Sequence, residues 1–219
     1  MYAWLIPLLP LLTALIVAVG DDASRRTRTK LAIFPIGAAF CGAVATLYLV
    51  ATQGPISIRF YDAASAASLT FPIGFYIDRL SAVMMVLISG VGTVIYAYSI
   101  DYMYQDPHEP RYLTLIGLAM FVLLCMVSSA NLMMLFLFWQ LLSFLLYLLA
   151  HNHTHPGTLE GAFKTFTLLR VGDVAFLAGI VLAYALYGTL EFPALFAKAA
   201  ESSVTFSPLP GLDISGATA

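Results

Sequence analysis

The sequence predicts an all-α integral membrane protein with six transmembrane helices and a short extracytoplasmic β-hairpin. Hydrophobic residues make up 61% of the chain and charged residues only 10%, whereas a soluble domain carries about 25% charged residues. Mean hydropathy is +0.90. Six separate apolar runs each approach the roughly 20 residues that a helix needs to cross a bilayer. These observations place most of the chain inside a lipid bilayer.

The six apolar runs follow one another with few interruptions. They cover residues 2–19, 31–52, 80–100, 113–130, 132–150 and 164–188. We expect helices because an unpaired backbone cannot face lipid. Only Asn131 separates the fourth run from the fifth, which predicts a tight helical hairpin. Asp78 precedes the third run, where an aspartate is a favourable N-cap.

Two segments outside the spans have patterns of their own. Apolar and polar residues alternate over residues 56–60 and again over 69–73, which predicts a β-hairpin on the outer surface. Residues 190–200 have apolar side chains at helical spacing, typical of a short interfacial helix. Residues 202–219 are rich in Ser, Pro and Gly, which favours a flexible tail. We therefore divide the chain into a six-helix domain, 1–188, and an interfacial helix with a flexible tail, 189–219.

The distribution of basic residues predicts the orientation. The loop 20–30 holds four of the ten basic residues, namely Arg25, Arg26, Arg28 and Lys30. By the positive-inside rule this loop is cytoplasmic and the N-terminus lies outside. The first run has no basic region before it and no small-residue cleavage site after it, so we expect no cleaved signal peptide. A net charge of −2 without a basic face predicts no nucleic-acid partner.

Arg170 and Asp173 are charged residues inside the sixth apolar run. Burying a charge in a membrane helix costs several kcal/mol, and such residues usually face protein or water. The two residues stand three apart on one helical face, so they can pair. Two interpretations stay open: a structural pair with Lys164 as an interfacial anchor, or a role in proton movement or its electrostatic control. We favour the second.

Other polar residues complete the candidate set. Gln140, beside Trp139 in the fifth run, cannot ionise and is expected to bridge helices. His151, His153 and His155 form a polar loop that could take up protons. Because no carboxylate or thiol is fixed nearby in the sequence, a metal site is not favoured there. Candidates for the proton pathway or its control are therefore Lys164, Arg170, Asp173 and Gln140, and candidates for proton uptake are the three histidines. We find no catalytic, cofactor-binding or metal-binding motif.

Three stretches carry a resemblance to a known family. They are FYIDRLSAVM with the following GVGTVIYAYSIDYM, then SANLMMLFLFWQLLSFLLYLL, and finally AFKTFTLLRVGDVAFLAGI. The chain resembles the large antiporter-like membrane subunit of complex I (NADH-quinone oxidoreductase), called NuoL in bacteria, and its relatives in Mrp antiporters and DabB inorganic-carbon transporters. The resemblance implies that Lys164, Arg170 and Asp173 match the Lys, Arg and Asp of that family's sixth helix. It also implies a bacterial cytoplasmic (inner) membrane and further membrane subunits as partners.

The chain departs from the complex I pattern in two ways. Those subunits carry a glutamate directly after the tryptophan of the fifth helix, where this chain has Gln140. They also continue into a broken helix and central lysines beyond the sixth helix. We therefore expect either an N-terminal piece completed by a separate chain or a reduced subunit that docks to a larger one.

The resemblance leaves three functions open. Relatives that take up inorganic carbon tend to lack the glutamate and work with a large soluble zinc-containing partner similar to carbonic anhydrase. We therefore favour a proton-coupled subunit of a DabB-like complex that takes up CO2 or bicarbonate. The alternatives are a proton-pumping subunit of complex I or an Mrp antiporter, and a non-conducting membrane scaffold. We expect no enzymatic site or cofactor in the chain itself, which is a transport or coupling subunit under the first two functions and part of a translocase if in complex I.

Overall fold

The computed structural model describes residues 3–19, 25–66, 69–104, 106–150, 158–201, 205–209 and 212–215. A 3-10 turn at Ala3–Leu5 comes first. The elements that follow are α1 (Leu8–Val19), α2 (Arg25–Leu31), α3 (Ile33–Gln53), β1 (Ile56–Ala66), β2 (Leu69–Ile77), α4 (Arg79–Tyr102), α5 (Glu109–Val127), α6 (Leu132–Ala150), α7 (Thr158–Tyr187), α8 (Phe192–Glu201), β3 (Thr205–Leu209) and β4 (Leu212–Ser215).

Five helices in the described part of the chain are long and apolar enough to cross a membrane. They match the second to sixth predicted spans, so the prediction of a multi-pass helical membrane protein is confirmed. The first predicted span is shorter than expected, because α1 has only 12 residues, or about 18 Å of helix. Pro7 precedes α1 and Pro10 lies in its first turn, where a missing N–H costs no hydrogen bond.

The core of the bundle lies around α5. In the apolar stretch of α5, 44% is buried inside the bundle, against 11% in the corresponding stretch of α7. α5 packs against α1, α4 and α6, and α3 packs against α4. One buried cluster includes Ile77, Met85 and Leu124, and a second, towards the other end of the bundle, includes Tyr96 and Leu113. α7 therefore lies at the edge of the bundle and packs chiefly against α6.

The strands β1 and β2 form the hairpin that the alternating pattern predicted. They are antiparallel, with Ile56 opposite Ile77. The ring of Phe60 contacts that of Trp4 edge to face, with centroids 5.9 Å apart. This contact places the start of the chain beside the hairpin, at the end of the bundle that we call the hairpin face.

The α5–α6 connection, residues 128–131, is clamped between β2 and the segment before α8. The Tyr76 N–H donates to the Ser128 carbonyl at 2.9 Å, and the Ala130 N–H donates to Gly74 at 3.2 Å. On the other side, the Leu132 N–H donates to Leu190 at 3.0 Å. The tight helical hairpin is thus confirmed, and its loop joins three parts of the hairpin face through backbone hydrogen bonds.

Side-chain caps fix where two helices begin. The Asp78 carboxylate accepts a hydrogen bond from the Ser81 N–H at 2.7 Å, as predicted for α4. The Asn131 side chain accepts one from the Met134 N–H at 2.7 Å at the start of α6. Each cap satisfies an amide that lacks an intrahelical partner. The β1–β2 hairpin, the loop 128–131 and residues 190–192 all lie at the hairpin face, while the side that faces the cytoplasm stays a prediction.

The C-terminal segment differs in part from its prediction. A helix is present, α8, at the place where the sequence predicted one. Beyond it, β3 pairs with β4 in antiparallel register, with Phe206 opposite Ile214. The sequence analysis did not predict this pairing, and the flexibility of the tail stays a prediction. Short runs with aromatic and β-branched residues flank Pro210–Gly211, a dipeptide typical of turns, and this local pattern favours a strand pair.

We predict that Gly74→Ala destabilises the protein by about 1–3 kcal/mol, the cost of one or two lost backbone hydrogen bonds. A Cβ at this residue would clash with the backbone oxygen of Ile58 on the paired strand, so the strands must move apart. Thermal unfolding of the protein in detergent measures the effect. Gly37→Ala is the matched control, because a Cβ there meets nothing within 4 Å. Equal unfolding temperatures for both variants would contradict this strand packing.

Candidate functional site

The candidate site is built on an ion pair inside α7. Arg170 Nη1 donates to Asp173 Oδ2 at 3.1 Å, and the two residues are three positions apart, as the sequence predicted. The Asp173 side chain is only 7% exposed, whereas that of Arg170 is 39% exposed. An isolated carboxylate would be costly at such a position, so the neighbouring cation and hydrogen bonds are what make its burial affordable.

Two consecutive residues of α6 bind the two halves of this pair. The indole Nε1 of Trp139 donates to Asp173 Oδ1 at 2.9 Å. The side-chain oxygen of Gln140 accepts a hydrogen bond from Arg170 Nη1. Gln140 therefore bridges two helices, as predicted, and its neutral amide contacts the cation without adding a charge. The site is thus a four-residue network across the α6–α7 interface.

Aromatic rings surround this network. The Arg170 guanidinium lies 4.4 Å from the ring centre of Phe166, one helical turn earlier. The Trp139 ring meets that of Phe176 edge to face at 6.1 Å, and Phe136 meets Phe176 in the same way at 5.6 Å. Aromatic faces attract cations and exclude water. Phe166 therefore adds a cation–π contact to the guanidinium, while Phe176 packs against the ring of Trp139.

An open apolar groove of about 640 Å³ adjoins the ion pair. Asp173 and Trp139 lie on its wall together with Met126, Leu169 and Phe176. Of the four residues in the network, Asp173 is the one whose carboxyl group can bind and release a proton, since arginine stays protonated and glutamine does not ionise. The arrangement can therefore hold a carboxylate at the edge of a cavity and bias its charge through one cation.

Lys164 lies apart from this network. It is exposed, and it precedes Asp173 by nine residues of one helix, or about two and a half turns. This spacing puts the two side chains on opposite sides of α7. The structure therefore brings together Arg170, Asp173 and Gln140 among the predicted candidates, but not Lys164.

The predicted proton-uptake residues His151, His153 and His155 lie outside the described residues. Within the ranges that the structure describes, no group of three His, Cys, Asp or Glu side chains could hold a metal ion.

Trp139 and Phe166 are members of the site that the sequence analysis did not select. Trp139 had been considered only as the neighbour of Gln140, and aromatic residues of this region as packing. The indole is a hydrogen-bond donor whose buried N–H usually finds a partner, which was the available signal. Nothing in the sequence pointed to Asp173 as that partner, because the two residues are 34 positions apart.

Fold and site together define a multi-pass helical membrane protein with an ion pair held between two spanning helices. Two family profiles match this chain. One is described as the N-terminus of chain 5 of NADH-ubiquinone oxidoreductase (complex I) and matches residues 64–113. The other is described as the transmembrane region of NADH:quinone oxidoreductase and Mrp antiporters and matches residues 129–212.

Two relatives in sequence support the same assignment. The chain is 32% identical over 214 residues to the probable inorganic carbon transporter subunit DabB1 of Halothiobacillus neapolitanus, covering 94% of this chain and 36% of the relative. It is 34% identical over 199 residues to NAD(P)H-quinone oxidoreductase chain 5 of Synechocystis, covering 87% of this chain and 29% of the relative.

Solved structures share the fold. Respiratory complex I from Thermus thermophilus matches with a TM-score of 0.68 and 19% identity, over 89% of this chain and 39% of the matched one. An archaeal membrane-bound sulfane sulfur reductase matches with a TM-score of 0.70 and 21% identity, over 91% and 40%. The chain belongs to the family of antiporter-like membrane subunits found in complex I and Mrp antiporters. It spans about a third of the length of the relatives given above.

We predict that Trp139→Phe lowers the free energy of unfolding by about 1–3 kcal/mol, the usual cost of removing a hydrogen bond to a charged group. Phenylalanine keeps the ring but removes the N–H that Asp173 accepts. Thermal unfolding in detergent is the measurement. Trp4→Phe is the control, because within the described residues the Trp4 indole makes a ring contact with Phe60 but no hydrogen bond. A smaller loss for Trp139→Phe than for the control would contradict this geometry.

Proposed function

We propose that this chain is a proton-coupled membrane subunit in which the Arg170–Asp173 pair controls proton movement. The observation that carries the proposal is a nearly buried carboxylate inside a spanning helix that binds an arginine and, through Trp139, the neighbouring helix. Ionisable groups inside membrane helices usually lie on ion or proton pathways because their burial is costly. The groove beside Asp173 supports access to this carboxylate from one side.

In this proposal the four residues have different roles. Asp173 is the group that gains and loses a proton. Arg170 stabilises its charged form, so that displacement of the guanidinium favours protonation and its return favours release. Gln140 holds Arg170 through a neutral contact, and therefore leaves Asp173 as the one carboxylate among the described residues that bonds to this arginine. Trp139 keeps the carboxylate directed at α6.

We propose more specifically that the subunit works in a DabB-like complex for uptake of dissolved inorganic carbon. Two observations support this. Gln140 stands where complex I subunits carry a glutamate, as the resemblance implies, and the chain is 32% identical to a probable inorganic carbon transporter subunit. Its partners would be membrane subunits that complete the antiporter-like fold and a large soluble zinc-containing protein similar to carbonic anhydrase. The proton gradient would then drive accumulation of bicarbonate.

A second candidate function is proton pumping in a complex I or Mrp-type assembly. The match to chain 5 of NAD(P)H-quinone oxidoreductase at 34% identity favours it. Both candidates share the same orientation in our proposal. The basic segment that includes α2 faces the cytoplasm of a bacterial cell, protons are taken up near His151, His153 and His155, and α8 lies at the outer surface.

We predict that Asp173→Asn abolishes proton-coupled transport while the protein still assembles in the membrane. Asparagine can keep a hydrogen bond to Trp139 but cannot exchange a proton. Proton uptake by membrane vesicles and the amount of assembled protein are measured together. Asp101→Asn, at an exposed aspartate near the end of α4, is the matched control and keeps full transport. If Asp173→Asn removes assembly and transport in parallel, Asp173 is a structural residue and the proposed role is wrong.

We predict that a soluble zinc-binding protein co-purifies with this subunit and that the pair restores growth at low CO2. Deletion of either gene should remove the growth advantage, because the proposal couples proton movement in one to chemistry in the other. Co-purification with quinone-reducing subunits, with growth unchanged at low CO2, would replace the carbon-uptake assignment by the complex I candidate and leave the role of Asp173 intact.

A further inference from the structure

A second buried carboxylate lies at the end of the bundle opposite the hairpin face. It belongs to Glu109, the acidic residue in the first turn of α5, and this residue is only 1% exposed. Because α5 has 19 residues and ends at the hairpin face, Glu109 lies about 28 Å from that face. The network around Asp173 is built from α6 and α7, so Glu109 is a separate site.

The position of Glu109 at a helix start does not explain its burial. A carboxylate in the first turn interacts favourably with the positive end of the helix dipole. This interaction does not require burial, since Glu160 occupies the first turn of α7 and is exposed. Removing a carboxylate from water costs several kcal/mol, which only good partners offset. The surroundings of Glu109 therefore decide what its carboxylate does.

The phenol of Tyr96, in α4, lies in the same buried region. Tyr96 is 0% exposed, and its buried hydroxyl makes no hydrogen bond within the part of the chain that the structure describes. The Glu109 carboxylate is close enough to this phenol for the two groups to interact electrostatically. A phenol can donate to a charged carboxylate and accept from a protonated one. Tyr96 can therefore serve both protonation states of Glu109.

A buried arginine lies at the same end of the bundle. Arg28 of α2 is 8% exposed, and its carbonyl accepts a hydrogen bond from the Ala32 N–H, one turn later, at 2.9 Å. Ala32 packs in one core cluster with Tyr96 and Leu113, and Leu113 follows Glu109 by one turn of α5. Both buried charges therefore lie at one end of this cluster. A cation near a carboxylate favours its charged form.

The other described charges at this end are exposed or half-buried. They are Lys30 of α2, Asp101 of α4, and Asp106, His108 and Arg111 around the start of α5. The last three line an open cavity of about 210 Å³. This cavity gives water a route to the turn that carries Glu109.

We propose that Glu109 is a second proton-binding residue of this subunit, with Tyr96 and Arg28 as its partners, at the end that the basic residues assign to the cytoplasm. The carboxylate gains a proton from water and later returns it, so only an O–H bond forms and breaks. Its surroundings repeat the composition of the network around Asp173: an arginine and an aromatic ring that carries one N–H or O–H. The inference rests on the proposed function, because it adds a proton-binding step to the same transport.

Infrared difference spectra test this proposal on the full chain in membranes, purified with any associated subunits and recorded between alkaline and acidic buffer. A protonated carboxyl group has a C=O stretching band, which is narrower and higher in frequency when the group is shielded from water. The wild type should gain such a band on acidification. Glu109→Gln should lose the band and lower proton uptake by vesicles, while Asp173→Asn should keep the band. Glu160→Gln is the matched control and should change neither.

Tyr96→Phe provides an independent arm that stays informative if Glu109→Gln does not fold. Phenylalanine keeps the ring and removes the hydroxyl, so the frequency of the shielded band should shift. Tyr98→Phe, at a tyrosine of the same helix that is 65% exposed, is the control and should leave the frequency unchanged.

Four results would overturn the inference: no shielded band in the wild type, its persistence in Glu109→Gln, its loss in Asp173→Asn, or equal frequencies in the two tyrosine variants. Normal proton uptake by Glu109→Gln would overturn it as well. If Asp173→Asn still abolishes uptake in any of these cases, the proposed function stands and only the role of Glu109 is rejected.

Discussion

The attachment of α7 depends on the network of Asp173, Arg170, Trp139 and Gln140. Only 11% of the apolar stretch of α7 is buried inside the bundle, and this helix packs chiefly against α6. In a bilayer, burial of apolar side chains against protein gains little over burial against lipid, so polar contacts between helices matter more than in water. Two side-chain hydrogen bonds and the edge-to-face contacts of Phe176 therefore set the position of α7 on α6.

This constraint links stability to the proposed function. The same carboxylate that accepts the hydrogen bond from Trp139 is the one that could exchange a proton. A change in its charge therefore alters both the electrostatics of the site and the contact between two helices. A subunit that passes proton movement on to a partner needs such coupling. The reason is that a conformational switch requires an element with two arrangements of similar free energy.

The hairpin face holds the other ends of these helices. The loop 128–131 bonds to β2 on one side and to residues 190–192 on the other. Arg59 of β1 also forms an ion pair with Glu191 at 2.7 Å. The start of α6 and the end of α7 are thus fixed to the same hairpin. Trp139 lies about two turns into α6 from its start at Leu132. The attachment of both helices to the hairpin therefore fixes the register in which Trp139 meets Asp173.

The sequence by itself determined the membrane class, five of the helical spans, the β1–β2 hairpin, the cap at Asp78 and the pairing of Arg170 with Asp173. These features depend on neighbours that are close along the chain, and helical or strand geometry fixes such neighbours directly. The tertiary structure decided the rest: the short α1, the contacts of Trp139 and Gln140 with α7, and the separation of Lys164 from the ion pair. Contacts between residues some 30 positions apart depend on the rotation and register of one helix against another. Those are set by packing over whole helix faces, which no local pattern in the sequence specifies.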